Sequence, residues 1–169
     1  MIIELEPYEY EYAYTIGIRR FIANWDKRDS STYAENKEKM EEDRNAQPAA
    51  AICELAVAKY LNQTWSGHIW RKQDHHKYKN IPDVGKNIEV RRVRTDKGPA
   101  IKLKDLNKGL IIWGARLLDK EYTKVELLGW IEADEGAKIG ELRNQDQKID
   151  NQYKVVPEKL LKKDWIKND

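Results

Sequence analysis

Glu54 is the only charged residue between Arg44 and Lys59, and its neighbours three and four positions away are Ala50, Ala51, Val57 and Ala58. An unpaired carboxylate in such surroundings costs several kcal/mol, so it must be neutral, paired with a base or turned toward a cation. A second polar group lies at 82–91, PDVGKNIEVR. Gly85-Lys86-Asn87 reads as a turn, which puts Asp83 at the end of one strand and Glu89 inside the next. Residues two apart on a strand share a face, so Glu89 and Arg91 point away from Ile88 and Val90. Two hard carboxylate oxygens on neighbouring strands can hold one Mg²⁺ or Mn²⁺ together with waters and phosphate oxygens. A cation beside them can orient an attacking water and stabilise the charge that develops on a phosphate. The same residues also suit a polar turn followed by a strand with a cross-strand ion pair, and a helix-to-base salt bridge also suits Glu54.

These side chains need elements to position them. The run 49–61, AAAICELAVAKYL, is the clearest helix, with Pro48 in its first turn and an end near Asn62. Apolar residues at helical spacings over 9–26 and good helix formers over 34–44 predict two earlier helices with a loop near 29–31. Beyond 62 the pattern turns to strands at 87–94, 109–113 and 124–131, and Leu160, Leu161, Trp165 and Ile166 after Pro157 suit a short closing helix. Helices first and strands after predict an α+β or α/β domain.

The order of the polar residues, an acid in an apolar helix, an acid at a strand end, then acid-x-base on the next strand, resembles the PD-(D/E)XK nuclease superfamily. The likeness is greatest to small phage-type members in which a Glu-bearing helix precedes a metal-binding hairpin, and it covers about residues 48–113. It implies a restriction-endonuclease-like fold, a central mixed sheet flanked by helices, with the N-terminal helices preceding the strands. It also implies hydrolysis of DNA phosphodiester bonds with Mg²⁺ or Mn²⁺. Position by position, Glu54 takes the helix role, Asp83 the first acid and Glu89 the second, all three binding or supporting the metal. Arg91 stands where the family has its lysine. A guanidinium stays protonated, so Arg91 can hold a phosphate or place a water but cannot accept a proton. The alternative is a catalytically inactive module of the same fold that binds nucleic acid or a protein partner.

Around this segment the charge is uneven. Residues 86–108 contain eight Lys or Arg against three Asp or Glu, with Lys86, Arg92 and Arg94 closest to the site as nucleic-acid contacts. The tract 65–79, WSGHIWRKQDHHKYK, holds all three histidines. His68 and Asp74 with His75 or His76 could ligate zinc or iron, or the tract could be a polar loop whose Trp65 and Trp70 stack on unpaired bases. Trp113 and Trp130 read as core. Tyr8, Tyr10, Tyr12 and Tyr14, at spacing two, suit packing or a partner surface; with the 34–44 helix they would make the working face of a structural or inhibitory protein.

The whole chain bounds these readings. Its 169 residues fit one domain, 1–169, with a core of ordinary size. A net charge of +2 excludes a polycation that grips nucleic acid by bulk charge, so any contact must be local. The single Cys53 excludes an internal disulfide and a cysteine-built zinc site. No stretch approaches 18 apolar residues and the acidic opening is unlike a signal peptide, which predicts a cytoplasmic protein, in a host cell if phage-encoded, without a membrane span. A homodimer is compatible with all of this.

Overall fold

The structure, a computed structural model, describes residues 1–23, 45–78, 80–94, 97–118, 123–143 and 152–164. The alanine-rich segment forms helix α2 (Ala46–Leu61), because alanine loses little entropy on becoming helical. Pro48 sits in its first turn, where a missing N–H breaks no helical bond. Asn62 ends the helix in the left-handed conformation, at φ 51°, with its N–H on the carbonyls of Ala58 and Lys59. Ahead of it, α1 (Pro7–Ala23) occupies the helix expected over 9–26 as far as it is described. The two helices pack closely at Gly17, where a Cβ would collide with the backbone of Pro48.

A four-stranded mixed sheet lies beside them. Its order is β1 (Ile2–Glu4), β5 (Lys124–Glu132), β4 (Ile111–Leu117) and β2 (Ile88–Arg92). β1 and β4 run antiparallel to β5, and β2 runs parallel to β4. The parallel pair needs a crossover, and residues 93–110 supply it. That segment first forms β3 (Ala100–Lys102), which pairs with β7 (Tyr153–Val155), itself next to β6 (Glu141–Arg143), in a second, antiparallel sheet. It then makes a 3₁₀ turn at Leu103–Asp105 before returning to β4. The protein is therefore α+β, with a strand, β1, ahead of the first helix.

The main sheet separates two apolar clusters. Ile52, Cys53, Val57, Ile88, Val90 and Trp113 fill the side covered by α2. Val93, Ile101, Ile112, Leu128, Ile131 and Val156 fill the other, which the second sheet and α3 (Ala133–Ile139) cover. Ile88 and Val90 stand beside Ile111 and Trp113 in register, and Glu89 and Arg91 beside Ile112 and Gly114. The alternation expected for β2 thus holds, with Glu89 and Arg91 on the face away from α2. Trp113 is core, and Trp130 is half-buried against it. Cys53 is a buried free thiol pushed up to about 12 by burial.

Two expectations are corrected. The segment after Pro157 is a single 3₁₀ turn, Glu158–Leu160, and not a closing helix. The reason is that Lys162 exchanges both backbone hydrogen bonds with Trp130, at 2.9 Å each, which draws the chain out straight. Asp83 does not end a strand. It lies in a bend before Val84, whose ladder contacts among the described residues are isolated bridges to Trp65 and, across the turn, to Ile88. The loop expected at 29–31, the helix at 34–44, Trp165 and Ile166 lie outside the described residues. Among the described residues, no helix is long and apolar enough to cross a membrane.

Candidate functional site

Glu54 faces out of the buried side of α2 and is 5% exposed. It is paired with a base. Arg20 Nη1 donates to Oε1 and Oε2 at 2.7 and 2.9 Å, and the indole N–H of Trp65 donates to Oε2 at 2.9 Å. Arg20 is itself anchored, since its Nε donates to the His68 carbonyl at 2.9 Å. The salt-bridge alternative for Glu54 is therefore realised, through a partner 34 residues away on α1.

Asp83 is held beside this pair by the backbone. Its carbonyl accepts the Ser66 N–H at 2.9 Å, and its carboxylate Oδ2 accepts the Val90 N–H at 2.8 Å. Gly85 sets the turn between Asp83 and β2 in the left-handed region, at φ 57°, where glycine carries no Cβ penalty. Loss of water, then the negative charges of Glu54 and Glu89, push the Asp83 carboxyl well above its ordinary value, against the pull of the Val90 N–H and of Arg91. The three sequence-predicted acids thus act on one another electrostatically, although they come from a helix, a bend and a strand.

Glu89 and Arg91 pair directly, Arg91 Nη1 donating to Glu89 Oε2 at 2.9 Å. Arg91 has a second partner that the motif did not name. Its Nη2 donates to both oxygens of Asp105, at 3.0 and 2.9 Å, and Asp105 is 1% exposed. Asp105 also takes the backbone N–H of Lys102 at 2.9 Å, which closes the 3₁₀ turn beneath β2. Burial opposes the charge on Arg91, but Asp105, then Glu89 and Asp83, outweigh it and raise the guanidinium above its ordinary value.

The set therefore joins four carboxyls, from Glu54, Asp83, Glu89 and Asp105, to the two guanidinium groups of Arg20 and Arg91. Counting Lys102, whose amine pKa is lowered by burial and by Arg91 and which interacts with Asp105 and Glu89, acids still outnumber cations by four to three. Among the described residues, no three His, Cys, Asp or Glu side chains are arranged as ready metal ligands. Both Glu54 oxygens are occupied, whereas the described hydrogen bonds reach only Oδ2 of Asp83 and only Oε2 of Glu89. Asp83 and Glu89 are thus the two residues whose remaining carboxylate oxygens could hold a divalent cation.

Of the three nucleic-acid residues, Lys86 and Arg94 are exposed at the two ends of β2, while Arg92 is half-buried on the α2 face. With Arg91, Glu89 and Asp105 consumed internally, every exposed charged side chain described over 86–108 is basic: Lys86, Arg94, Lys97, Lys102, Lys104 and Lys108. His68 does not stand with Asp74 as a ligand group among the described residues. It lies nearer the acids. Burial, then Arg20, lower its pKa against the opposing pull of Glu54 and Glu89.

Two site residues escaped the sequence reading. Arg20 had a signal: with Ala13, Ile16 and Gly17 it completes the buried i, i+3, i+4, i+7 stripe of α1, where an arginine is as out of place as Glu54. Asp105 had none beyond its place in a charged loop. No known protein family, curated protein or solved structure matches the chain.

Proposed function

We propose that this chain is a metal-dependent nuclease of the PD-(D/E)XK type, acting on phosphodiester bonds in DNA with Mg²⁺ or Mn²⁺. The observation that carries the reading is the placing of Asp83 out of water with its backbone-held carboxylate beside Glu54 and Glu89: loss of water first, and then their negative charges, raise its carboxyl. Like-charged groups gathered at a structural cost mark functional sites more often than chance packing does. The architecture is compatible: a Glu-bearing helix covers a mixed sheet whose edge strand β2 carries Glu89 and Arg91. In this reading the fold is of the restriction-endonuclease type.

In this reading Asp83 and Glu89 hold the cation, and Glu54, fixed by Arg20, reaches it through water. The ion supplies Lewis acidity toward a phosphate oxygen and a nearby water. Arg91, locked between Glu89 and Asp105, presents a permanent positive charge at a defined place beside the phosphate. The exposed lysines around β2 draw in the polyanion. Incubation of the purified protein with single- and double-stranded DNA in Mn²⁺ tests the proposal. Cleavage that persists in the Asp83→Ala/Glu89→Ala double variant sinks it.

The second reading, a catalytically inactive module that binds nucleic acid or a protein partner, is favoured by Arg91. The described hydrogen bonds commit its Nη1 and Nη2 to carboxylates, and it cannot accept a proton. DNA affinity without cleavage in any divalent metal is the outcome that selects it.

A further inference from the structure

Residues 65–70 run alongside the candidate site, with Trp65 packed against the edge of the core and the rest of the tract outside it. Trp65 bridges Val84, and the Ser66 N–H bonds the Asp83 carbonyl at 2.9 Å, so the tract lies directly against the bend that carries Asp83. Its aromatic side chains are only partly buried, in contrast to Trp113 at 2% exposure. They are also fixed. Trp65 is held by its indole bond to Glu54 and meets the ring of Tyr12 edge-on, with centroids 5.5 Å apart. His68 lies against Trp70 with centroids 4.7 Å apart and planes 36° from parallel. The Arg20 guanidinium stands 5.4 Å from the Trp70 ring centre. Tyr12 is 57% exposed, and Arg71 next to Trp70 is exposed as well.

We infer that Tyr12, Trp65, His68 and Trp70 form a stacking shelf for unpaired bases, so that the strand brought to Asp83 and Glu89 is single-stranded. Three features favour this occupant. Bases in a duplex hide their π-faces in the stack, and only an unpaired strand can lay them on rings beside a phosphate site. The rings are pre-ordered by hydrogen bonds of Trp65 to Glu54 and of His68 to Ser66 and by the Arg20 guanidinium lying over one face of Trp70, so little side-chain entropy is lost on binding. By sequence, the tract 65–79 holds four basic residues, Arg71, Lys72, Lys77 and Lys79, and one acid, Asp74, an excess of positive charge that attracts a phosphate backbone. The inference rests on the nuclease reading only for what happens to the strand afterwards.

The test is binding without turnover. Wild-type protein in EDTA is titrated with a dT oligonucleotide and with a duplex of equal length, followed by tryptophan fluorescence and by anisotropy of a labelled strand. The expected result is quenching and about tenfold tighter binding of the single strand. Trp70→Leu, which keeps apolar bulk but removes the ring, weakens that binding about tenfold, whereas Trp70→Phe keeps most of it. Tyr12→Ala, at an exposed position, weakens it without a change in melting temperature, and serves if Trp70→Leu does not fold. Equal or tighter binding of the duplex, no binding of either, or full affinity in Trp70→Leu and Tyr12→Ala overturns the shelf; a proline-rich peptide that binds in place of the oligonucleotide reassigns it to a protein partner. Single-strand binding without cleavage in Mn²⁺ leaves the shelf standing and removes the nuclease reading.

Discussion

Arg20 Nη1 donates to both carboxylate oxygens of Glu54, at 2.7 and 2.9 Å, with the two side chains 2% and 7% exposed. This pair joins α1 to α2 directly behind the candidate site. Removing one member leaves the other charge buried and unpaired, which costs about 3–5 kcal/mol. Arg20→Met is therefore expected to lower stability by about that amount in urea unfolding. Arg20→Met/Glu54→Leu recovers most of the loss, because replacing both ions with apolar groups of similar volume is often neutral. If the double variant is as unstable as the single, the pair is not the source of the effect.

Asp83 carries an opposite expectation. Its carboxyl is raised by loss of water and by Glu54 and Glu89, from an ordinary value of 3.8. At a pH between the unfolded and the folded values, the folded protein therefore holds a proton that the unfolded chain has already released. Stability from this group is complete below the unfolded value and is lost as pH rises through the folded one. Asp83→Asn keeps an oxygen for the Val90 N–H and removes the charge. The variant is predicted to be more stable than wild type at neutral pH, with the advantage shrinking as pH falls toward 3.8. Thermal unfolding across pH measures both curves, and parallel curves would show that Asp83 is not the titrating group.

How far the sequence led can be read from these same residues. Glu54 and the Glu89/Arg91 alternation were legible because each breaks or obeys a strong local period: one acid in an apolar helix, two polar residues on one face of a strand. Arg20 lay in equally periodic sequence, but naming it as the partner of Glu54 requires the packing of α1 on α2, in which Gly17 admits Pro48, and no local pattern encodes that. Asp105 was hidden for another reason. The second sheet is built from strands of three residues each, too short to show a period of two, so the crossover that returns Asp105 to Arg91 has no sequence signature. The same shortness hid β1 in an acidic opening.

A divalent cation should reverse the cost at Asp83. Mn²⁺ binding requires the ionised carboxylate, so it releases a proton and tightens as pH rises. At a free concentration of about 100 times Kd, one site adds about 2.7 kcal/mol to stability. Titration calorimetry in buffers of different ionisation enthalpy reads the proton, and melting temperature reads the stabilisation. Asp83→Ala/Glu89→Ala should show neither. A wild-type melting temperature that is unmoved by millimolar Mn²⁺ or Mg²⁺ would remove the metal from the site.

Arg91→Lys separates the two functional readings. Arg91 uses Nη1 for Glu89 and Nη2 for both oxygens of Asp105, and a lysine ammonium cannot reproduce that spread of donors. A stability loss of about 1.5–3 kcal/mol is expected from the hydrogen bonds to charged groups that are lost. What the substitution gains is a cation that can deprotonate. If the native chain is a nuclease slowed by its arginine, cleavage of single-stranded DNA in Mn²⁺ rises in the variant despite the lower stability, and its pH profile acquires a new ionisation. If the site only binds, the variant remains inactive with its DNA affinity largely kept, since the total charge is unchanged and the exposed lysines around β2 are untouched. Asp105→Asn is the control for position. It leaves Arg91 with Glu89 as its one remaining carboxylate partner among those two, and is expected to weaken Mn²⁺ binding by drawing the guanidinium onto the very carboxylate that the ion needs.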